Sequence, residues 1–306
     1  MIRIDRIDHV ALATADVHAA ADRWATQFGL LLRSLDPRRA LLSCEAEPYC
    51  LELVQGDTPG HMHTGFELAR DCTVERAAAH LDACGVAFDP RDGSLFVTDP
   101  DGRGVELMPH RARDPRVAHA QPSTIVRPGA PRRLGHVNCL TTHLEESTAF
   151  YVDVLGMRLT DRLGDQGRWF HVNSDHHVMA LIDVDCSHFH HLAFDVVDIG
   201  QMRDMLDRVA RHGRWLAWGP TRHGVGGNIA SYVRIVEEEC FCELYCDMEQ
   251  LQPDHEPRTY PNDRFSSNTW GPLPPRSYFR FDAAAIESER ESLEMLGIPL
   301  ESPVRT

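Results

Sequence analysis

The sequence feature that most constrains the fold is an internal repeat, in which one order of strand, helix and strand occurs twice. The segment IDHVALATADVHAAADRWATQFGLLLRS, from Ile7, aligns with LGHVNCLTTHLEESTAFYVDVLGMRLTDR, from Leu134. Asp16 is a suitable N-cap for the first helix, and Gly29 and Gly156 follow the helices as stop signals. A repeat of this length predicts two modules of the same architecture.

The rest of each copy can be matched as well. HTGFELA, from His63, aligns with HHLAFDV, from His190, and FVTDPDGRGVELM, from Phe96, aligns with YVRIVEEECFCELYC, from Tyr232. The order β-α-β-β-β is therefore expected twice within each copy, which gives each copy two helices and about eight short strands. The expected fold class is α+β, with tandem βαβββ modules followed by a C-terminal tail.

Helix faces follow from the spacing of apolar residues. The first helix of each copy is expected to bury one face: Val17, Ala20, Trp24 and Phe28 in the first, and Leu144, Thr148, Tyr151 and Leu155 in the second. A second helix is expected over Thr73 to Cys84 in the first copy and over Ile199 to His212 in the second.

A stretch with several prolines separates the two copies. We expect residues 1–115 to form a first, non-catalytic module, 116–131 a linker, 132–247 the second, catalytic module, and 248–306 a tail. Up to Phe279 the tail shows no helix or strand period, and a final helix is expected from about Ala283 to Leu296. Two roles stay open for the tail, a moving lid or a static cover over an apolar edge.

Composition excludes several classes of protein. The net charge of −15 argues against a nucleic-acid or anionic-membrane surface. No run approaches the roughly 18 apolar residues of a membrane span, and the charged start is unlike a secretory signal. Nine cysteines without such a signal are expected to be reduced thiols. These observations predict a cytoplasmic protein.

Three residues at repeat-matched positions stand out as metal ligands. His136, His191 and Glu243 belong to different strands of the second module. Two imidazoles and one carboxylate on neighbouring strands can occupy one face of a metal ion and leave the other face open, as in non-haem Fe(II) oxygenases. Each residue alone is more often structural, but their joint recurrence favours a metal site.

The chain resembles the two-module extradiol catechol dioxygenases of the vicinal-oxygen-chelate superfamily. The resemblance rests on LGHVN around His136, HHLAFDV around His191, RHGVGGNIASY from Arg222 to Tyr232, and CELY around Glu243. It covers about residues 1–280. It implies a mononuclear metal, usually Fe(II) and in some members Mn(II), bound by the two histidines and the glutamate.

The resemblance also implies groups that handle protons and substrate. Asn138 matches a substrate-contacting position, His177 the acid/base histidine, and His223 and Tyr232 the pair that hydrogen-bonds substrate and oxygen intermediates. Neighbouring His176 is the rival acid/base residue, and strand alternation would let only one of the two face inward. We expect that residue to be His177.

The chain departs from the family before its glutamate. The usual Asp-Pro-x-Gly turn is kept in the first module, at Asp99 to Gly102, but the second module has IVEEECF. Glu239 is therefore a rival ligand. Glu243 is preferred because CELYC continues as a strand and aligns with VELM around Glu106.

The first module has a potential triad of its own, His9, His63 and Glu106. The family's first module is normally without metal, and here Ala11, Tyr49 and Phe96 align with Asn138, His177 and Tyr232. A metal at this place would lack groups that move protons. An inactive relic is therefore the expected interpretation.

The function that the resemblance implies is extradiol ring cleavage of a catechol by O2, giving a 2-hydroxymuconic semialdehyde-type product. The implied partners are a small catechol and O2, within a homo-oligomer that is tetrameric or larger. Two alternatives remain, an oxygen-independent, metal-dependent lyase or isomerase of the glyoxalase type and a non-enzymatic small-molecule binder. Residues that could line the substrate pocket are His143, Trp169, Met179, Trp270 and Tyr278.

Overall fold

The computed structural model describes residues 1–45, 47–111, 129–214 and 216–280, together with Ala284, Glu287 and Glu291. The first module forms one eight-stranded sheet in the order β2-β3-β4-β1-β5-β8-β7-β6. Its elements are β1 (Ile4–Thr14), α1 (Val17–Phe28), β2 (Leu31–Leu35), β3 (Arg39–Ser43), β4 (Leu51–Gln55), β5 (Gly60–Leu68), α2 (Val74–Ala83), β6 (Phe88–Arg91), β7 (Ser94–Thr98) and β8 (Gly104–Met108).

The second module repeats this architecture. Its elements are β9 (Arg133–Thr141), α3 (Leu144–Ala149), β10 (Arg158–Leu163), β11 (Gly167–His171), β12 (Met179–Asp183), β13 (His188–Asp195), α4 (Ile199–Arg211), β14 (Leu216–Arg222), β15 (Ile229–Ile235) and β16 (Cys240–Cys246). The sheet order β14-β15-β16-β13-β9-β12-β11-β10 matches the first sheet strand for strand. The predicted fold class is confirmed.

Strand alternation divides the second sheet into two faces, and β16 shows the division. Cys240, Cys242 and Cys246 lie in the large hydrophobic core beneath the helices. Tyr245 belongs to a separate aromatic cluster. Because successive side chains point to opposite faces, Glu243 lies on the Tyr245 side, away from the three thiols. The predicted separation of the cysteines from Glu243 is confirmed.

The helix after β9 differs from the regular helix predicted from the sequence. It begins as α3 but continues as a π-helix over Phe150–Val154. Thr148, predicted on the buried face, is only partly buried, and Ser147 is fully buried instead. The wider turn buries the adjacent residues Phe150 and Tyr151 together, which a regular α-helical face does not predict.

The tail contains short elements that no period could reveal. β17 (Arg258–Tyr260) extends the second sheet parallel to β10, and α5 (Arg264–Ser267) and a 3₁₀ turn (Arg276–Phe279) follow. Elements of three or four residues are too short to show a hydrophobic repeat. Residues 112–128, within the predicted linker and its flank, lie outside the described residues. So does most of the final helix predicted from about Ala283 to Leu296.

A buried carboxylate joins the two modules. Glu238, in the turn before β16, accepts hydrogen bonds from Thr14 Oγ1 at 2.9 Å and Trp24 Nε1 at 3.2 Å, and pairs with Arg23. All three partners belong to the first module, so this turn fixes one module against the other. Among the described helices, none has the length and apolarity needed to cross a bilayer.

Candidate metal centre and substrate cavity

Three adjacent strands bring the predicted metal ligands together. His136 lies on β9, His191 on β13 and Glu243 on β16, and Ala193 of β13 is opposite both His136 and Glu243. The Nε2 atoms of His136 and His191 lie 3.2 and 2.9 Å from Oε2 of Glu243. One ligand atom from each residue lies within 4.8 Å of the others.

These spacings fit a metal ion. Bonds of about 2.0–2.2 Å at octahedral or tetrahedral angles set neighbouring ligand atoms about 2.8–3.6 Å apart. All three side chains are almost completely buried, and the second carboxylate oxygen of Glu243 accepts from Asn228 Nδ2 at 3.1 Å. Two imidazoles and a carboxylate match the N/O preference of Fe(II) and Mn(II).

Electrostatics keep the carboxylate ionised. Burial by itself raises the pKa of Glu243, but the neighbouring imidazoles of His136 and His191 hold it well below its usual range. Burial also lowers the pKa of His191, although Glu243 opposes this effect. A charged carboxylate beside a neutral imidazole is the protonation state in which these groups bind a metal.

A chain of hydrogen bonds from the tail fixes the tautomer of His191. Nε2 of His190 donates to the carbonyl of Tyr278 at 2.6 Å, since a carbonyl can only accept. Burial lowers the pKa of His190 well below its usual value, so the ring is neutral and its Nδ1 accepts from His191 Nδ1 at 2.8 Å. The lone pair of His191 therefore lies on Nε2, the atom that faces Glu243.

His177 and His176 lie in the loop before β12 rather than on a strand, so the expected alternation does not apply to them. The His177 ring lines the cavity and lies 4.3 Å from the His136 ring between centroids. His176 lies behind it, with Nδ1 at 3.0 Å from Nδ1 of His177 and Nε2 at 2.8 Å from Asp161. His177, and not His176, therefore faces the cavity.

Nδ1 of His177 is engaged with Nδ1 of His176, whose Nε2 donates to the carboxylate of Asp161. Nε2 of His177 is therefore the ring nitrogen that remains for a proton. Burial first, and the nearby His136 second, lower the pKa of His177 well below its usual value. His177 is consequently uncharged at neutral pH and can act as a base.

His223 and Tyr232 form the expected pair. His223 Nδ1 donates to the carbonyl of Ser267 at 2.8 Å, and its Nε2 lies 2.7 Å from the hydroxyl of Tyr232. Burial lowers the pKa of His223 and raises the pKa of Tyr232 well above its usual value. A neutral imidazole therefore accepts from a neutral phenol, whose ring stacks on Trp218.

The site opens into a cavity of about 560 Å³, a size typical of small-molecule pockets. Asn138 lines the cavity as predicted, and so do Trp169 and Tyr278. The other three predicted lining residues are placed elsewhere by the fold. His143 pairs with Asp101 at the module boundary, Met179 is buried in the core, and Trp270 is 44% exposed.

The tail closes one side of the cavity. Its residues Asn262, Ser266, Pro274 and Phe279 contribute to the lining. Sequence reasoning did not identify these residues, nor His190 and Asp161. Only the adjacency of His190 to His191 was visible in the sequence, because the tail partner is a backbone carbonyl that carries no residue-type signal.

The alternative ligands have different positions. Glu239 is exposed in the turn before β16, with φ of 52°, and its carbonyl accepts from His188. In the first module, His9, His63 and Glu106 converge, and Tyr49 and Phe96 lie against the two imidazoles.

Comparisons with known proteins place this geometry in context. The model of the Glyoxalase/Bleomycin resistance protein/Dioxygenase superfamily matches residues 133–234. Metapyrocatechase 2 of Cupriavidus necator is 29% identical over 311 aligned residues, which cover 90% of this chain and 92% of that protein. An iron-dependent extradiol dioxygenase of Rhodococcus jostii (strain RHA1) is 30% identical over 202 residues, covering 58% of this chain and 67% of that protein.

Solved structures share the fold. The Mn(II)-bound glyoxalase from Novosphingobium aromaticivorans superposes with a TM-score of 0.80 over 90% of this chain and 94% of that chain, at 22% identity. At that identity the likeness concerns the arrangement of strands and helices, and function has to be argued from the site.

Proposed function

The chain belongs to the extradiol dioxygenases of the Glyoxalase/Bleomycin resistance protein/Dioxygenase superfamily, and we propose that His136, His191 and Glu243 hold its metal. It is an extradiol catechol dioxygenase, which cleaves the ring beside the diol with O2 and gives a 2-hydroxymuconic semialdehyde-type product. Its cofactor is Fe(II), and the donor set also accepts Mn(II). Its substrates are a small catechol and O2.

The observation that carries the site assignment is the position of the triad at the base of the cavity, beside His177, His223 and Tyr232. A bare metal triad would serve many reactions. Here a neutral base and a neutral phenol–imidazole pair border the same cavity. Ring cleavage needs all of these groups, because protons must leave the diol and later reach the cleaved oxygen.

Fe(II) held by His136, His191 and Glu243 would supply positive charge that favours loss of a catechol proton, and it would activate O2. We assign to His177 Nε2 the role of taking a proton and returning it during oxygen cleavage. Before substrate binds, the hydroxyl of Tyr232 donates a hydrogen bond to His223. When substrate is present, the hydroxyl can donate to a substrate oxygen instead. Asn138 supports the position of the diol from β9.

The positions of these groups indicate which parts of the chain are catalytic and which are not. We propose that residues 132–247 form the catalytic module, 1–115 a non-catalytic module and 116–131 a linker. We assign residues 248–306 to the tail, and its described part up to residue 280 borders the cavity, with carbonyls at Ser267 and Tyr278 that accept from His223 and His190. Two further proposals are a homo-oligomer, tetrameric or larger, and a cytoplasmic location, the latter supported by nine free thiols.

The test uses protein purified without air and loaded with Fe(II). Unsubstituted catechol, methylcatechols and 2,3-dihydroxybiphenyl are supplied with dissolved O2, and oxygen uptake is followed together with the yellow absorbance of the ring-opened product. We expect equal amounts of O2 and catechol to be consumed, and no turnover from a His191→Ala variant treated identically. Iron-loaded protein that consumes no O2 across the panel would contradict the proposal and favour a glyoxalase-type lyase. Catechol binding without retained metal would favour a binding protein.

A further inference from the structure

We propose that the first module binds a second divalent transition-metal ion, through His9, His63, Glu106 and Glu52, at a closed and non-catalytic site. The family resemblance predicts a first module without metal. The inference rests on the contacts among these four side chains and does not depend on the proposed ring cleavage.

Three of the four ligand atoms already have the spacing of neighbouring positions in a coordination sphere. His9 Nε2 lies 3.1 Å from His63 Nε2 and 3.3 Å from Glu106 Oε2, and His63 Nε2 lies 3.2 Å from the same oxygen. These three distances fall within the range of about 2.8–3.6 Å set by metal bonds of about 2.0–2.2 Å. They also match the corresponding distances at Glu243, 3.2 and 2.9 Å.

His9 is oriented for ligation. Its Nδ1 lies 3.1 Å from the carboxylate of Asp8, which can only accept, so Nδ1 donates and Nε2 points at the cluster. A carboxylate behind a ligating histidine is the usual support of a protein metal site. Gly65 is directly opposite His9 on β5, and a Cβ at position 65 would overlap the imidazole ring.

Glu52 distinguishes this cluster from the one in the second module. Its Oε1 accepts from Arg39 at 2.5 Å, while Oε2 lies 4.0 Å from His9 Nε2. Glu52 pairs with Ala11 across β1 and β4, and the equivalent pair across β9 and β12 is Ala180 with Asn138. The first module thus has a carboxylate where the second has only a methyl group.

A fourth protein ligand has a functional consequence. At the second-module site, a metal held by three protein ligands would keep places for substrate and O2, on the side away from those ligands. In the first module Glu52 takes up part of that side, and Tyr49 and Phe96 replace the groups that move protons. Four protein ligands of this kind are typical of a structural metal site. The side chains of His63, Glu106 and Glu52 are 13, 11 and 10% exposed, which gives an ion access from solvent.

The test counts ions on the full-length protein. Mn(II) is used as the probe because it needs no protection from air. Bound ions are counted by metal analysis after gel filtration and by the loss of the free Mn(II) EPR signal. We expect two Mn(II) per wild-type chain, one for His63→Ala and one for His191→Ala. We expect none for the double variant, and an unchanged two for His18→Ala, whose residue is exposed.

Two further measurements separate a lost ligand from a lost fold. Glu106→Gln keeps the size of the side chain and should lose the same ion as His63→Ala. Ring cleavage by either variant should remain close to that of wild type, since neither residue lies in the substrate cavity. A wild type that binds one Mn(II), with His63→Ala and Glu106→Gln also binding one, would overturn the proposal. The cluster would then be an ion-pair network around a protonated His9.

Discussion

Replacing His190 by phenylalanine removes both hydrogen bonds that orient His191 while keeping a flat ring in the buried position. His190 links the Tyr278 carbonyl to His191 Nδ1. Loss of such a support costs about 10–100-fold in metal affinity, so Fe(II) and Mn(II) should bind more weakly by that factor. Titration of the metal-free protein measures this, and excess Fe(II) should restore much of the turnover.

The matched control for this change is His188→Phe on the same strand, since His188 donates to the Glu239 carbonyl and lies outside the cavity lining. Its metal affinity should equal that of wild type. A His190→Gln variant, which can still donate and accept, should fall between the two. Equal metal affinity in His190→Phe and wild type would show that the hydrogen bonds from the Tyr278 carbonyl through His190 do not orient His191 for metal binding.

His177→Phe should leave the metal in place and slow turnover. Removing a general acid/base typically costs about 10²–10⁴-fold, so we expect kcat to fall within that range while iron content stays at the wild-type level. His176→Phe removes only the partner behind His177 and should cost less. Steady-state oxygen uptake and metal analysis on the same samples provide the comparison. A larger loss in His176→Phe than in His177→Phe would reverse the assignment.

The pH profile gives a second reading of His177. Burial lowers its pKa well below 6.5, so the neutral, basic form is present at pH 7 and above. Activity that needs this base is lost only as the pH falls through the lowered value. We therefore expect the acid limb of kcat/KM, which reports groups of the free enzyme, to lie below pH 6.5 and to change in His177→Phe. An acid limb above pH 6.5 would assign it to another group.

Residue types and spacings identified His136, His191 and Glu243 as the proposed metal ligands, and the structure brings these side chains together. Each of the three positions has the same residue type in both copies of the repeat, and neighbouring strands bring residues that are far apart in sequence close together. The supports of these ligands could not be predicted. His190 acts through a backbone carbonyl 88 residues away, and Asp161 through His176, so neither has a residue-type pattern of its own. Glu52 was missed because its role depends on the register of β1 and β4.

At the scale of elements, carbonyl groups of the tail accept hydrogen bonds from the ring nitrogens of three residues that line the cavity. Trp218 Nε1 donates to Pro272 at 2.7 Å, His190 to Tyr278, and His223 to Ser267. A chain ending at residue 271 loses the first two acceptors and the Tyr278 ring. We expect it to lose metal affinity and turnover together, whereas a chain ending at residue 280 keeps every contact described above and should resemble wild type. Equal activity of the two truncations would reduce the tail to a passive cover.

The same scale shows where periodicity stops being informative. Helices of ten or more residues and paired strands were predictable because a buried face repeats over several turns or pleats. The π-helical turn at Phe150–Val154 was not predictable from periodicity. The hydroxyl of Tyr151 donates to Asp99 Oδ2 at 3.0 Å, and this contact with the other module leaves no periodic pattern in the local sequence. β17 depends likewise on its pairing with β10.

For the whole molecule, the buried histidines predict how stability depends on pH. Burial lowers the folded-state pKa of His171 to about 4, and lowers those of His177, His190 and His223 as well. In the unfolded chain these groups titrate near their ordinary value of about 6.5. Below that pH the unfolded state binds more protons, so these four groups lower the free energy of unfolding as the pH falls, and above it they contribute no slope.

Urea unfolding between pH 7.5 and 5.0, with chelator present to remove metal, measures this effect. Each histidine that stays neutral in the fold contributes a slope of about 1.4 kcal/mol per pH unit below its unfolded-state pKa. Carboxylates whose pKa is lowered by folding, such as Glu106, also destabilise the fold when they are protonated. Their effect begins only near the ordinary pKa of 4.5, below the pH range measured here. His171→Gln should reduce the slope of the unfolding free energy against pH by the contribution of one histidine. His18→Gln, at an exposed position, should leave the slope unchanged. A free energy of unfolding that stays level from pH 7.5 to 5.0 would mean that these rings are protonated within the fold, and that His177 is then no base.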